Sequence, residues 1–136
     1  MLDQKLAELE ELRKSEAHFR ALVEATGDWI WEVSAEGVYT YSSPQVESIL
    51  GYTPEYVIGK TPFDMMPPME AERIEAVFRD LVEKSEPIVE LENIAIHKDG
   101  RLVVLESSGL PFFDKTGKLE GYRGMDRDIT SRKRAE

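Results

Sequence analysis

Residues 28–42, which read DWIWEVSAEGVYTYS, predict a β-hairpin with one aromatic face. Apolar and polar side chains alternate from Trp29 to Ser34, as they do in a strand with one buried face. The sequence AEG at residues 35–37 forms the turn, and residues 38–42 return as the second strand. On strict alternation, five side chains share the inner face of this hairpin: Trp29, Trp31, Val33, Tyr39 and Tyr41.

Beyond the hairpin, the sequence predicts helices followed by three more strands. Short helices begin at Ser43-Pro44 and Thr53-Pro54, and residues 69–84 form a longer amphipathic helix. The remaining strands are predicted over residues 88–97, 101–113 and 119–129, with the turn sequences KDG and DKTG between them. Strands joined by tight turns, with helices inserted between them, define an α+β fold with an antiparallel sheet.

Residues 1–25 predict an amphipathic helix, because neither Gly nor Pro occurs before Gly27. Its apolar stripe, continued by Val23, contains Leu2, Leu6, Leu9, Leu12 and Phe19. Two interpretations stay open: the helix covers its own domain, or it pairs with a second chain as a short coiled coil. We favour the homodimer, because so exposed a leucine stripe has no other partner in a small domain.

The composition excludes several classes of function. The chain has 136 residues, 27 acidic and 17 basic side chains, a net charge of −10 and no cysteine. This length suits one domain with a short appendage. The lack of cysteine removes thiol catalysis and cysteine-ligated metals, and it favours a cytoplasmic location. The acidic balance argues against nucleic-acid binding, and no apolar run approaches the roughly 18 residues that insert into a bilayer.

Motifs for catalysis or metal binding are incomplete. The sequence GKT at residues 59–61 lacks the earlier glycine of a phosphate-binding loop, because Pro54 occupies that position. His18 and His97 lie on different predicted elements and do not form a metal-ligand pair, so we expect no metal. Asp126 and Asp128 share a strand face, which suits acid–base catalysis or structural pairing with basic groups. We favour structural pairing, because no third catalytic group accompanies them.

Taken in order, these pieces resemble a PAS domain, the sensor module of bacterial and archaeal signalling proteins. The resemblance covers about residues 15–130. It rests on the aromatic hairpin, Ser43-Pro44, the sequences LGY at 50–52 and GK at 59–60, the turn KDGR at 98–101, and residues 114–124. It ends with Asp128-Ile129-Thr130 followed by SRK, which resembles the family's usual exit to an output domain.

The resemblance implies a five-stranded antiparallel sheet of order 2-1-5-4-3, with the inserted helices packed on its inner face around a ligand pocket. The chain would then comprise the N-terminal helix (1–25), a sensor core (26–130) and the start of a signalling helix (131–136). His97 is predicted to face inward, and Ile30 and Val38 outward, where the N-terminal helix can cover them. The candidate ligand-binding residues are Trp31, Tyr39, Tyr41, Met66, Phe78, Asn93, Leu105, Ser107, Tyr122 and Asp126.

Three of these candidates are polar and come from adjacent strands: Asn93, Ser107 and Asp126. A buried aspartate costs several kcal/mol unless it is paired or hydrogen-bonded. Convergent polar groups in an apolar cup are typical of a ligand site. The alternative, which stays open, is that the three groups satisfy one another, water or tyrosine hydroxyls.

The resemblance also limits the cofactor. Flavin-adduct light sensors of the family need a cysteine, and the chain has none. Haem sensors usually carry an axial histidine on the long helix, and no histidine occurs between His18 and His97. A non-covalent flavin, a small organic acid, another metabolite or an empty pocket stay open.

We therefore predict a cytoplasmic sensor domain, without catalysis of its own, from a multidomain protein such as a sensor histidine kinase or a diguanylate cyclase. A ligand would shift the last two strands, and Asp128, Ile129 and Thr130 would pass the shift to the helix near Ser131. One alternative is a ligand-free module for homodimerisation and signal relay. Another is a small hydrolase or isomerase, which would need Asp126 in an open cleft beside a second titratable group.

Overall fold

One antiparallel sheet forms the centre of the fold. The computed structural model describes the backbone of residues 1–136 and the side chains of all of them except Arg20, Val23 and Glu24. The strands are β1 (Trp29–Ser34), β2 (Tyr39–Ser42), β3 (Ile88–Ile96), β4 (Leu102–Phe113) and β5 (Leu119–Asp128). Over this backbone the sheet order is β2-β1-β5-β4-β3, which confirms the predicted topology.

The helices lie before, between and after the strands. They are α1 (Leu2–Thr26), α2 (Val46–Leu50), α3 (Pro54–Val57), α4 (Pro68–Lys84) and α5 (Thr130–Ala135), with a short 3-10 helix at Pro62–Met65. The order of helices and strands confirms the α+β prediction. The predicted ends of α1 and the start of α5 differ from the observed ones by one residue.

Capping residues determine where the short inserted helices begin. The Thr53 hydroxyl accepts a hydrogen bond from the Tyr56 N–H, 3.2 Å away, with Pro54 in the first turn of α3. Thr61 and Asp64 form a reciprocal capping box at the start of the 3-10 helix. These caps hold the segment between β2 and α4 in short, defined turns over the inner face of the sheet.

The hairpin contains a β-bulge that the sequence pattern did not reveal. Val33 lies opposite Tyr39 and Glu32 opposite Tyr41, so the register shifts by one residue between Glu32 and Val33. A shift of one residue exchanges the two faces of a strand. Tyr41 is therefore 50% exposed on the outer face, and Ser42 is buried instead. The prediction that Tyr41 lines the pocket is wrong.

Two glycines make room for the indole of Trp31. Gly124 lies opposite Trp31 on β5, and Gly109 lies opposite Gly124 on β4. A Cβ atom at Gly124 would come within 2.7 Å of Trp31 Cη2 and 2.2 Å of the Ser108 carbonyl oxygen. At Gly109 the distance to Trp31 Cη2 would be 3.0 Å. The indole therefore lies across β5 and β4 only because both positions lack a side chain.

The N-terminal helix α1 is exposed along its predicted apolar stripe. Its described leucines at positions 2, 6, 9 and 12 are each more than half exposed, and Phe19 is 62% exposed. The side chain of Val23, which the sequence placed in the same stripe, lies outside the described residues. Phe19 lines a groove on the outer face of the sheet together with Ile30, so the last turns of α1 approach that face.

Candidate functional site

A cavity lies between the inner face of the sheet and the inserted helices. Its volume is about 60 Å³, measured as the space open to the centre of a water molecule. One water needs roughly 10–15 Å³ on this measure, so the cavity has room for a group of about four to six non-hydrogen atoms. Its walls are mostly apolar, and its polar side chains come from β2, β3, β4 and β5.

Asp126 is the one carboxylic acid among the described residues that line the cavity, and it is 4% exposed. Its Oδ1 accepts a hydrogen bond from Trp31 Nε1, 2.9 Å away. The Ser107 hydroxyl also bonds to its carboxylate. Asn93 Nδ2 donates to Ser107 Oγ at 2.9 Å. Asn93, Ser107 and Asp126 thus form one hydrogen-bonded chain across three neighbouring strands.

Burial changes the acidity of this site. Removal from water raises the pKa of Asp126 from 3.8 to about 6, although the hydrogen bonds from Ser107 and Trp31 oppose that change. Burial also raises the pKa of Tyr39 well above its usual value, with a further contribution from the negative charge of Asp126. The Asp126 carboxyl therefore loses its proton at a higher pH than a free aspartate does, and it is mostly ionised at neutral pH.

The structure brings together eight of the ten candidate ligand-binding residues predicted from sequence. These cavity-lining residues are Trp31, Tyr39, Met66, Phe78, Asn93, Leu105, Ser107 and Asp126. Tyr41 lies on the outer face, for the reason given above. Tyr122 is fully buried but is not among the cavity-lining residues; its hydroxyl lies 2.6 Å from the Glu86 carbonyl oxygen and 3.2 Å from that of Leu81. Tyr122 packs against the cavity-lining Phe78, with ring centres 5.6 Å apart, but it does not itself line the cavity.

His97 lies one residue beyond the end of β3 at Ile96, and it does not line the cavity. Its imidazole Nδ1 accepts a hydrogen bond from the Asp99 N–H at 3.0 Å, within the turn between β3 and β4. The ring packs where a side chain at Gly51 would lie, since a Cβ there would be 2.7 Å from His97 Cε1. The left-handed backbone at Gly51, with φ of 83°, ends α2 at the same point.

Several residues that line the cavity were not predicted from the sequence. Leu91 has the same strand parity as Asn93, so strict alternation would have identified it. Ile88 has the opposite parity and still lines the cavity, because the register of β3 shifts between Ile88 and Leu91. Glu90, within that irregularity, has a positive φ of 43°. The other missed residues, Gly37, Leu50, Pro62 and Met65, come from turns and short helices.

The exit from the sheet is held by a compact set of hydrogen bonds. Asp128 Oδ1 accepts from the Thr130 N–H at 2.9 Å and from the Thr130 hydroxyl. The Thr130 hydroxyl oxygen accepts from the Val104 N–H at 3.0 Å, and the Ile129 N–H donates to the Val104 carbonyl at 2.9 Å. Ile129 is buried, with 4% exposure. The three predicted relay residues therefore join the end of β5 to the first residues of β4.

Ion pairs attach α5 and the start of β1 to the same end of the sheet. Arg132 bonds to Glu106 on β4 at 3.2 Å, and Lys133 lies 3.2 Å from Glu92 on β3. Arg127 on β5 pairs with the buried carboxylate of Asp28 at 3.1 Å, directly after α1. Since Trp29 lies opposite Asp126, the chain enters and leaves the sheet beside the cavity.

The described residues contain neither a candidate metal-ion cluster nor a helix that could span a membrane. No group of three or more histidine, aspartate or glutamate side chains in that part of the chain is arranged to hold a metal ion. Within the same residues, no helix combines the length and apolarity needed to cross a membrane.

An α+β sheet of order 2-1-5-4-3, a helix-covered cavity and an exit helix are the features of a sensor domain of the PAS type. The comparison of sequences agrees, since residues 23–134 match the family described as the PAS fold. The chain therefore belongs to the PAS-fold family.

Two curated proteins are similar to this chain in sequence. The chain is 30% identical over 135 residues to the uncharacterized protein y4lL of Sinorhizobium fredii, covering 99% of this chain and 16% of that protein. It is 27% identical over 119 residues to the aerobic respiration control sensor protein ArcB of Escherichia coli, covering 85% of this chain and 15% of ArcB. The chain thus spans about a sixth of the length of these relatives.

Solved structures share the fold. The PAS domain of a Colwellia psychrerythraea protein is 26% identical with a TM-score of 0.72, over 85% of this chain and 98% of that one. The N-terminal domain of a diguanylate cyclase with a PAS/PAC sensor from Marinobacter aquaeolei has a TM-score of 0.69 at 22% identity, over 78% of this chain and 98% of that one. At that identity the second likeness shows the fold alone.

Proposed function

We propose that this domain is a sensor that binds a small molecule in the cavity beside Asp126 and transmits the change through its terminal helices to an output domain. The observation that carries the proposal is the position of Asp126 on β5. Only one residue separates it from Asp128, whose carboxylate holds the start of α5. A ligand that moves Asp126 therefore acts on the strand that positions the exit helix.

The coupling would run through β4 as well as β5. Ser107 bonds to Asp126 inside the cavity, and Val104, three residues earlier on β4, bonds to Ile129 and Thr130. A ligand shifts such an equilibrium only if it binds one arrangement more tightly than the other. A ligand that contacts Asp126 in one arrangement of β5 and not in the other would supply that difference.

The ligand would be small and non-covalent. The chain has no cysteine for an adduct, and a cavity with room for about four to six non-hydrogen atoms does not admit a three-ring flavin unless it expands. The output domain would belong to a longer cytoplasmic signalling protein, a histidine kinase or a diguanylate cyclase. The relation to ArcB, a sensor protein of which the chain covers 15%, supports the placement of the domain in a longer signalling protein.

Native mass spectrometry of the purified domain, followed by a thermal-shift screen of small metabolites, tests the proposal. We expect a retained small molecule, or a metabolite that raises the melting temperature of the wild type and not of Asp126→Asn. An ultraviolet–visible spectrum detects flavin or haem directly. Persistent emptiness together with a screen in which no compound stabilises the domain would overturn the sensor proposal.

The enzymatic alternative receives no support from the geometry of Asp126. That interpretation required an open cleft, whereas Asp126 is 4% exposed and bonded to an indole and a hydroxyl. We therefore propose a domain without catalysis of its own.

A second function, homodimerisation, is favoured by the exposed stripe of α1. Leu9 and Leu12 are each more than half exposed, and burying such side chains between two helices is favourable by about 1.5–3 kcal/mol each. The double variant Leu9→Glu, Leu12→Glu should then shift the sedimentation coefficient from dimer to monomer. The control, Ala7→Glu with Ala21→Glu, adds the same charge away from the stripe and should leave the dimer intact. An unchanged mass for the leucine variant would exclude the stripe as the interface.

A further inference from the structure

The cavity contains a buried acid whose charge no neighbouring cation neutralises. Among the described residues that line it, none is lysine, arginine or histidine. The nearby strand arginines are paired elsewhere: Arg123 with Glu32 and Arg127 with Asp28. Trp31 and Ser107 donate hydrogen bonds to Asp126, but neither carries charge. A buried carboxylate is costly unless an opposite charge accompanies it, so the ionised Asp126 lacks a counter-charge in this cavity.

Aromatic side chains form much of the wall of the same cavity. Five of the cavity-lining side chains are aromatic: Trp29, Trp31, Tyr39, Phe63 and Phe78. The faces of such rings attract organic cations, most strongly where water is excluded. An aromatic wall with one buried carboxylate is complementary to a positive, weakly hydrated group. A carboxylate ligand would instead meet the negative charge of Asp126 and find no basic side chain among the lining residues.

A surface groove beside the cavity also favours cations. Phe63 and Phe78, whose ring centres lie 6.0 Å apart, line both the cavity and a groove on the surface. Three carboxylates line that groove, from Glu36, Asp64 and Glu75, against one guanidinium, that of Arg79, which pairs with Glu75. With a net charge of −10, the whole chain also attracts cations over a longer range.

We propose that the cavity binds a small alkylammonium cation of up to about five non-hydrogen atoms, with Asp126 as its counter-ion and the aromatic rings as its cage. This inference rests on the proposed ligand-binding function and names the chemical class of the ligand. Loss of the cation would leave the Asp126 carboxylate without a counter-charge in the cavity.

Calorimetric titration with three probes of similar size tests the charge that the cavity selects. Tetramethylammonium is the cation, tert-butanol the neutral probe and acetate the anion. We expect tetramethylammonium to bind at least tenfold more tightly than either other probe and to change the emission of Trp29 and Trp31, the two tryptophans of the chain. Tetrapropylammonium, which is too large for the cavity, should not bind.

The variant Asp126→Asn should weaken tetramethylammonium binding at least tenfold and leave tert-butanol binding unchanged. The matched control is Glu32→Gln, which removes one charge from a half-buried side chain on the outer face of β1. This variant should bind tetramethylammonium as the wild type does.

A second measurement needs no variant. Because the pKa of Asp126 is about 6, the wild type should bind tetramethylammonium about tenfold more weakly at pH 5 than at pH 7.5.

The outcomes separate this inference from the function on which it rests. Binding of tert-butanol or acetate in preference to tetramethylammonium would overturn the cation class and leave the sensor proposal standing. Equal binding of tetramethylammonium by the wild type and Asp126→Asn would also overturn it. Failure of all three probes and of the wider metabolite screen would overturn both proposals.

Discussion

Replacing Asp126 with Asn should change how the stability of the domain depends on pH. Burial raises the pKa of Asp126 from 3.8 to about 6, so the folded state retains a proton that the unfolded chain has already lost between these two values. In that interval the folded state binds more protons, and the free energy of unfolding therefore falls as pH rises. Asn does not titrate, so Asp126→Asn lacks this contribution.

The magnitude follows from the interval between the two pKa values. At 1.36 kcal/mol for each pH unit, ionised Asp126 destabilises the folded state at neutral pH by about 3 kcal/mol relative to its protonated form. About half of this, roughly 1.5 kcal/mol, develops between pH 5 and pH 7.5. The amide also rearranges the bonds to Trp31 and Ser107, but that contribution does not change with pH.

Urea unfolding at several pH values from 5 to 7.5, followed by circular dichroism, measures the difference. The stability of Asp126→Asn relative to the wild type should rise by about 1.5 kcal/mol across this range. The control Asp3→Asn, at an exposed position of α1, should show no such trend. A difference that stays level with pH would refute the reasoning, because it would mean that water reaches the carboxylate in the folded state.

Three further predictions concern the surroundings of the cavity and its exit. Gly124→Ala places a Cβ atom 2.2 Å from the Ser108 carbonyl oxygen. Denaturant unfolding should therefore show that the free energy of unfolding falls by about 2 kcal/mol or more. A fall of less than about 0.5 kcal/mol would contradict the close approach. Tyr122→Phe removes the hydroxyl that bonds to the Glu86 carbonyl, so the free energy of unfolding should fall by about 1–2 kcal/mol. The binding of probes in the cavity should not change. An altered probe affinity would mean that the ring of Tyr122 does reach the cavity. Asp128→Ala should abolish regulation of the parent protein's output with little change in melting temperature, because Asp128 is exposed; intact regulation would count against its relay role.

Much of the candidate site followed from local pattern. Period-two alternation in β3 and β4 placed Asn93, Leu105 and Ser107 on the inner face, and the same rule placed Asp126 on β5. The alternation rule failed in the β1–β2 hairpin, where backbone hydrogen bonds connect β2 to a segment outside that pair of strands. The Tyr39 N–H donates to the Lys60 carbonyl at 2.8 Å, and the Tyr39 carbonyl accepts from the Gly59 N–H at 3.0 Å. These bonds to a distant segment accompany the bulge that turns Tyr41 outward.

The sequence by itself determined the family, the order of helices and strands, the exit motif and the exclusion of cysteine chemistry, because each depends on residue type and short-range spacing. Only the tertiary structure decided which side chains share the cavity, how large it is, and that Asp126 is ionisable near pH 6 without a cationic neighbour among the lining residues. The physical reason is that burial and charge neutralisation depend on the whole set of groups around a carboxylate. That set is assembled from five strands, the long helix α4 and the short helices before it, which lie far apart in the chain.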